Sequence, residues 1–234
     1  MKKLVFVFAF FLCLAISAQD NYYTMYSFVV EPQNEATVYK LVEDYYSKNK
    51  PEGIYVRLFE NHFKAEDMKA THSIVFLGTQ EAVGNMYAGG GNVNFDLFIT
   101  KLNQYIKDGA GSAMGKHIAL NGDTSTRYPF QVYLLLDVAD PDKYDAEHQK
   151  FHSKHNPPGM LVNMGNVIAG QGTGHYNRWA ILGYKDMKSA LGGPNQLLSG
   201  PALAARQKAW DAYRASNGGV EVVGSGMRVL LGAW

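Results

Sequence analysis

Four ring-bearing side chains in the second half of the sequence have the spacing of one helical face. They are Tyr144, His148, Phe151 and His155. At 100° per residue their directions span only about 60°, so a helix presents all four on one side, with charged residues on the other. Imidazoles titrate near neutral pH and serve as proton acceptors, proton donors or ligands. We expect His148 to transfer protons in a pocket, with Tyr144 and His155 beside it as the other catalytic residues and Phe151 against the substrate.

The same helix raises the question of a metal. His148 and His155 are about 10.5 Å apart along a helix axis, too far to share one ion. His148 and His152 are one turn apart, as zinc ligands often are, but His152 points about 40° toward the flank of the stripe and no third ligand lies nearby in sequence. We therefore predict no metal, with a zinc site at His148 and His152 as the alternative. The structural alternative is that His148 and His155 are hydrogen-bonded, half-buried histidines near a helix end, where His155 helps to cap the last carbonyls.

A strand candidate at 174–179 adds polar groups to this half. Strand alternation places His175 and Trp179 on one face and Arg178 on the other. An inward Arg178 stabilises an anion, whereas an outward one is a solvated surface residue. We expect His175, Arg178 and Trp179 to bind substrate together with Phe151. The first half has Ser73, Val75 and Leu77 near the matching place, and we interpret it as the copy without a site.

The elements that position these residues occur twice, at an offset of about 106 residues. A strand at 23–30 matches one at 130–137, and a helix from Asn34 or Glu35 to Lys48 matches one that begins at Asp140 and ends before Pro157. The pattern then predicts, in each half, two strands, a helix and a last strand. The predicted ranges are 54–59, 72–77, 95–107 and 116–120, then 160–168, 176–182, 203–215 and 227–231.

The order β-α-β-β-α-β is the ferredoxin-like motif, whose sheet has one bare face that must be covered. We predict an α+β fold in which two such halves, 21–122 and 128–234, pack sheet to sheet as one barrel, with the polar segment 121–128 as linker. In this order and duplication the chain resembles the dimeric α/β-barrel superfamily in its single-chain form, over nearly all of 22–234.

That resemblance implies a range of functions. The superfamily includes cofactor-free monooxygenases, haem enzymes such as chlorite dismutase and dye-decolourising peroxidases, and many proteins without known activity. Its ligand-binding members hold substrate or haem in the gap between helix and sheet. We predict no cofactor, and the alternative that the resemblance implies is haem with His148 or His155 as axial ligand.

The N-terminus has the three parts of a secretory signal peptide. Met1-Lys2-Lys3 is positive, 4–16 is apolar, and Ser17-Ala18 precedes polar residues. We predict cleavage after Ala18, or after Ser17 because Ile16 is large for the −3 position. The mature protein is then periplasmic or secreted, and it loses Cys13, the one cysteine, so it has no disulfide.

Composition and motifs exclude several classes. Twenty-two Lys and Arg against 21 Asp and Glu leave no basic field for nucleic acid. No stretch after residue 18 is apolar enough to span a membrane, and the zincin, hydrolase and EF-hand motifs do not occur. The glycines of 109–116 lack P-loop spacing, and we interpret them as a turn.

The resulting prediction is an exported barrel that binds a small molecule in a histidine-containing pocket at 130–183, as a cofactor-free oxygenase-like protein. The alternatives are a haem-binding barrel enzyme and a non-catalytic envelope or interaction protein. Whether the protein is an enzyme, and whether it forms homo-oligomers, is left open by these residues.

Overall fold

A computed structural model describes residues 21–66, 68–89, 91–170 and 175–234, so the predicted signal peptide lies outside the described residues. The strands are β1 (Asn21–Val30), β2 (Tyr55–Phe63), β3 (His72–Thr79), β4 (Ile106–Asn121), β5 (Phe130–Val138), β6 (Met160–Asn166), β7 (Arg178–Tyr184) and β8 (Val220–Ala233). The helices are α1 (Glu35–Asn49), α2 (Gln80–Ala88), α3 (Val93–Leu102), α4 (Pro141–His155), α5 (Met187–Gln196) and α6 (Gly200–Ser216), and a 3₁₀ turn, Pro32–Asn34, precedes α1.

The strands form one closed antiparallel barrel in the order β1-β3-β2-β8-β5-β7-β6-β4. Each half contributes a four-stranded sheet of ferredoxin-like order, β4-β1-β3-β2 and β8-β5-β7-β6. The two sheets face each other across the barrel interior, and the pairs β2–β8 and β4–β6 join their edges. Closure leaves no open edge among the described strands. The predicted α+β fold of two ferredoxin-like halves is confirmed, while the exact domain bounds and the linker stay a prediction.

Helix α4 begins as its sequence predicts. The Asp140 side chain accepts a hydrogen bond from the Lys143 backbone N–H, and Pro141 occupies the first helical position. Helices α1 and α4 have equal lengths of 15 residues and start 106 residues apart, so the offset read from the sequence holds in three dimensions. Within the ranges described, no helix is both long enough and apolar enough to cross a membrane.

Three features differ from the prediction. The helix predicted over 95–107 ends at Leu102, and β4 begins at Ile106. Each half has an additional helix, α2 or α5, after its third strand. The glycine-rich segments around 109–115 and 224–226 are not turns but parts of the long strands β4 and β8. Their glycines permit close packing instead: a Cβ on Gly115 would overlap the Asn166 carbonyl oxygen, and one on Gly226 would overlap the Tyr133 ring.

Side chains alternate between the helix layer and the barrel interior along every strand. In the first half Val38, Val42 and Tyr46 of α1 are buried against the outer face of the sheet. The second half buries α4 and α6 in the same way. A third cluster, which includes Tyr23 and Trp179, lies inside the barrel.

Candidate functional site

The predicted catalytic residues of α4 lie in a packed core. Tyr144, His148 and Phe151 are only 2%, 3% and 4% exposed, and Tyr213 of α6 stacks on Phe151 with ring centroids 5.3 Å apart. His152 is 5% exposed and belongs to this buried stripe, at the position that Tyr46 has in α1, instead of lying at its flank.

Burial decides the protonation of these two histidines. Desolvation lowers the pKa of His148 to about 4. Desolvation, followed by the charges of His148 and Arg206, lowers the pKa of His152 to about 2. Both rings are therefore neutral at pH 7, and a base with so low a pKa is poorly matched to proton abstraction at that pH. Each Nδ1 is buried without a hydrogen-bond partner in the described chain.

The residues predicted to bind substrate lie in separate places. Arg178 faces α4, where its Nε and Nη2 donate to the two carboxylate oxygens of Asp145 at 2.8 and 2.9 Å. Trp179 faces the barrel interior and donates from Nε1 to the Tyr23 hydroxyl at 3.0 Å. His175 is exposed and His155 is half-buried at the end of α4. The structure thus brings Tyr144, His148 and Phe151 together with one another but not with Trp179 or His175, and their roles in chemistry stay predictions.

The packing around α4 decides whether a metal ion or a haem fits there. The described residues contain no group of three His, Cys, Asp or Glu side chains that could hold a metal ion, so His148 and His152 have no third protein ligand there. The space beside them is filled by core side chains, including Met164 and Tyr213. These residues, packed as they are, do not fit a haem.

A cavity of about 280 Å³ lies elsewhere, on the outer face of the first half. It is bounded by β1, β4, the last turn of α2 and the segment after β6. We call it the first-half cavity; its lining residues are Thr24, Tyr26, Tyr87, Ser112, Ala113, Met114, Ala169 and Gly170. The β1–β4 pairing positions the central part of this wall, because it places Thr24 opposite Met114 and Tyr26 opposite Ser112.

Hydroxyl groups supply the polar chemistry of the first-half cavity. The Thr24 side chain is 7% exposed, and its Oγ1 is buried without a hydrogen-bond partner in the described chain. The Tyr26 and Tyr87 hydroxyls lie 2.7 Å apart. Burial, followed by this hydrogen bond, raises the pKa of Tyr26 to about 12, so its phenol is protonated at pH 7. The bond within the pair uses one hydroxyl hydrogen and leaves the other to be donated.

This arrangement can bind the oxygen of a small molecule. The tyrosine pair offers a hydroxyl hydrogen to the cavity, while Ala113, Met114 and Ala169 provide apolar wall. Thr24 Oγ1 has almost no accessible surface in this structure, so a ligand oxygen reaches this second donor only by displacing the side chains that cover it. The described lining residues include no histidine or carboxylate, so these residues supply donors and no general base near neutral pH.

Sequence reasoning missed this cavity because it lies in the half interpreted as the copy without a site. The tyrosines of that half are most simply explained as sheet core and rim. Finding the cavity requires the β1–β4 register, and that register involves the glycine-rich segment predicted to be a turn. A threonine in the apolar strand β1 is the one local signal.

Comparisons with known proteins identify the fold. No family model matches the chain, and no curated protein matches it. A candidate monooxygenase from Fusobacterium nucleatum has 18% sequence identity and a TM-score of 0.61, with 92% of this chain and 94% of that chain covered. A candidate monooxygenase from Lactobacillus acidophilus has 13% identity and a TM-score of 0.57, covering 92% and 95%. An anthrone oxidase-like protein has 10% identity and a TM-score of 0.56, covering 93% and 94%.

At these identities the similarity establishes the architecture. The resemblance to the dimeric α/β-barrel superfamily is confirmed at the level of the fold, and the chain is an α/β barrel of the type found in proteins described as oxygenase-like. Chemistry has to be argued from the side chains of this protein.

Proposed function

We propose that the protein binds a small aromatic molecule carrying a carbonyl or hydroxyl oxygen in the first-half cavity. The observation that carries this proposal is the Thr24 hydroxyl, buried in the cavity wall without a partner. A buried, unsatisfied hydroxyl costs about 1–3 kcal/mol, and an oxygen atom of a ligand removes that cost. The free hydrogen of the Tyr26–Tyr87 pair provides the second donor.

Size and wall chemistry narrow the ligand class. A volume of about 280 Å³ is close to the lower end of ordinary ligand pockets, about 300 Å³, so the ligand is compact. The tyrosine rings, together with Met114 and Ala113, favour a ligand with flat, apolar rings over a sugar or a nucleotide. A tricyclic ketone such as anthrone has this combination of flat rings and one polar oxygen, and a protein of the same fold is described as anthrone oxidase-like.

If the bound ketone is a substrate, the reaction that we propose is its oxidation by O2. The descriptions of the similar structures favour this reaction. In that reaction the ring CH2 of anthrone becomes a carbonyl, one oxygen atom of O2 enters the product, and the other leaves as water. Loss of a CH2 proton to solvent places negative charge on the ketone oxygen. Hydroxyl donors at Thr24 and the tyrosine pair stabilise that charge.

The α4 histidines are the second candidate site, and the unpartnered Nδ1 atoms of His148 and His152 favour it. The closed packing of that gap instead favours the third alternative, a non-catalytic envelope or interaction protein. We also propose that residues 1–18 direct export of the protein, whichever of these alternatives holds.

The test is a binding titration with anthrone, followed by quenching of tryptophan fluorescence. Anthracene, which has the same three rings and no oxygen, is the ligand control. Thr24→Val keeps the side-chain shape and removes the hydroxyl, and we expect it to weaken anthrone binding about tenfold without affecting anthracene. Tyr22→Phe on the same strand, outside the lining, is the matched control variant. Equal affinity of the wild-type protein for anthrone and anthracene would contradict the proposal.

A further inference from the structure

Two arginines face the inside of the barrel from neighbouring strands. Arg57 lies on β2, and Arg228 lies on β8 opposite Asn61 of β2. Phe59, two residues from Arg57 and on the same face of β2, lies under the Arg228 guanidinium, whose Cζ is 3.8 Å from the ring centroid. Both positive charges therefore belong to one wall of the interior.

Neither charge is neutralised by a carboxylate in the part of the chain that the structure describes. Arg228 donates from Nε to the neutral Gln131 Oε1 at 3.1 Å. Arg57 makes no hydrogen bond or ion pair among the described residues. Desolvation, followed by the charge of Arg57, lowers the pKa of Arg228 to about 9, so both guanidiniums are charged at pH 7.

A further basic group among the described residues of the interior, His117, adds no charge. His117 of β4 is desolvated, and its pKa is lowered to about 4, with the two arginines contributing to the shift. Its Nδ1 pairs with the Asn163 side-chain oxygen at 2.9 Å. The neutral imidazole leaves two positive charges and no described negative charge in this part of the barrel.

The two arginine side chains are not completely enclosed by the barrel. Although they face the interior, both side chains are half-buried and keep part of their surface accessible. Met25, Leu135 and Leu230 line the same interior and are likewise only half-buried. Two like charges in a desolvated space are costly unless an opposite charge joins them.

We propose that the barrel interior is a second binding site, distinct from the first-half cavity, that holds a small organic carboxylate between Arg57 and Arg228. The guanidiniums bind the carboxylate oxygens, for which their planar N–H groups are suited. The apolar part of the ligand lies against Phe59 and the half-buried apolar side chains. This apolar wall favours an organic carboxylate over inorganic phosphate.

The test measures the melting temperature and, by calorimetry, the dissociation constant of the intact mature protein at pH 7 and constant ionic strength. The probes are benzoate, its neutral analogue benzamide, inorganic phosphate and chloride. We expect benzoate to raise the melting temperature while benzamide and chloride do not, since binding to the folded state alone stabilises it. Stabilisation by phosphate without benzoate would overturn the carboxylate assignment, and no effect of any anion would overturn the site.

Variants localise the effect. Arg228→Met and Arg57→Met should each weaken benzoate binding at least tenfold, and each should raise the melting temperature of the unliganded protein because an unpaired buried charge is removed. Arg214→Met, an exposed position paired with Asp211, makes the same change in net charge and should leave benzoate binding unchanged. Arg228→Lys retains the charge and serves if a methionine variant does not fold. Equal benzoate affinity in the Arg57, Arg228 and Arg214 variants would contradict the proposal.

Discussion

Acid should destabilise this protein through the two histidines buried in α4. Burial lowers the pKa of His148 to about 4 and that of His152 to about 2, whereas an unfolded histidine has a pKa of about 6.5. The unfolded chain therefore binds more protons than the folded chain below about pH 6.5. Stability that is fully present above this pH is lost as the pH falls, down to about pH 4 for His148 and further for His152.

The magnitude follows from the width of this pH window. At pH 5 the pH is about 1.5 units below the pKa of an unfolded histidine, while both folded rings remain neutral. Each histidine therefore lowers the free energy of unfolding by about 2 kcal/mol, and the pair lowers it by about 4 kcal/mol. The variant His148→Phe with His152→Tyr removes both titrating groups and keeps ring-sized side chains. We expect its free energy of unfolding to fall between pH 7.5 and pH 5 by about 4 kcal/mol less than that of the wild type.

Urea unfolding followed by tryptophan fluorescence at several pH values measures this difference. Phe151→Leu, in the same core, is the control: it lowers stability by loss of packing and should shift the curve in parallel at every pH. If the wild type and the double variant lose stability equally on acidification, the rings are protonated in the folded state and the reasoning fails.

Three further predictions concern pairing, close packing and export. Asp145→Ala should cost about 3 kcal/mol in urea unfolding because it leaves Arg178 buried without its partner, and adding Arg178→Met should recover much of the loss; a cost under about 1 kcal/mol would contradict this. Gly165→Ala should cost about 1–3 kcal/mol, since its Cβ overlaps the Trp179 ring, whereas Gly109→Ala meets nothing within 4 Å and should be nearly neutral; equal melting temperatures would argue against the packing. Mature protein from the host should begin after Ala18 by N-terminal sequencing, and a chain retaining Met1 would contradict cleavage.

Much of the fold could be predicted because the duplication is visible in local patterns. Asp140 and Pro141 mark the start of helix α4, and the apolar stripe of α4 repeats that of α1 at the same offset. The secondary structure of the glycine-rich segments is harder to predict, because a glycine permits a turn and a close strand contact equally well. The group that packs against the glycine determines which of the two occurs. For Gly115 this group is the Asn166 carbonyl oxygen on the neighbouring strand.

The candidate site was less predictable, for a different reason. The inward direction of Tyr144 and His148 follows from helical spacing, and the structure agrees. Whether an inward face borders a pocket depends on side chains distant in sequence, and here Tyr213 of α6 fills the gap. The side that Arg178 and Trp179 face depends likewise on the register of β7 in the barrel, which alternation alone does not specify.

The central claim is that the first-half cavity binds an aromatic molecule through its oxygen, and a crystal structure of the mature protein grown with anthrone tests it most directly. We expect the rings between β1, β4 and Tyr87, with the ketone oxygen about 2.6–3.2 Å from Thr24 Oγ1. Anthrone bound beside His148, or bound in the cavity with its oxygen directed away from Thr24, would contradict the claim.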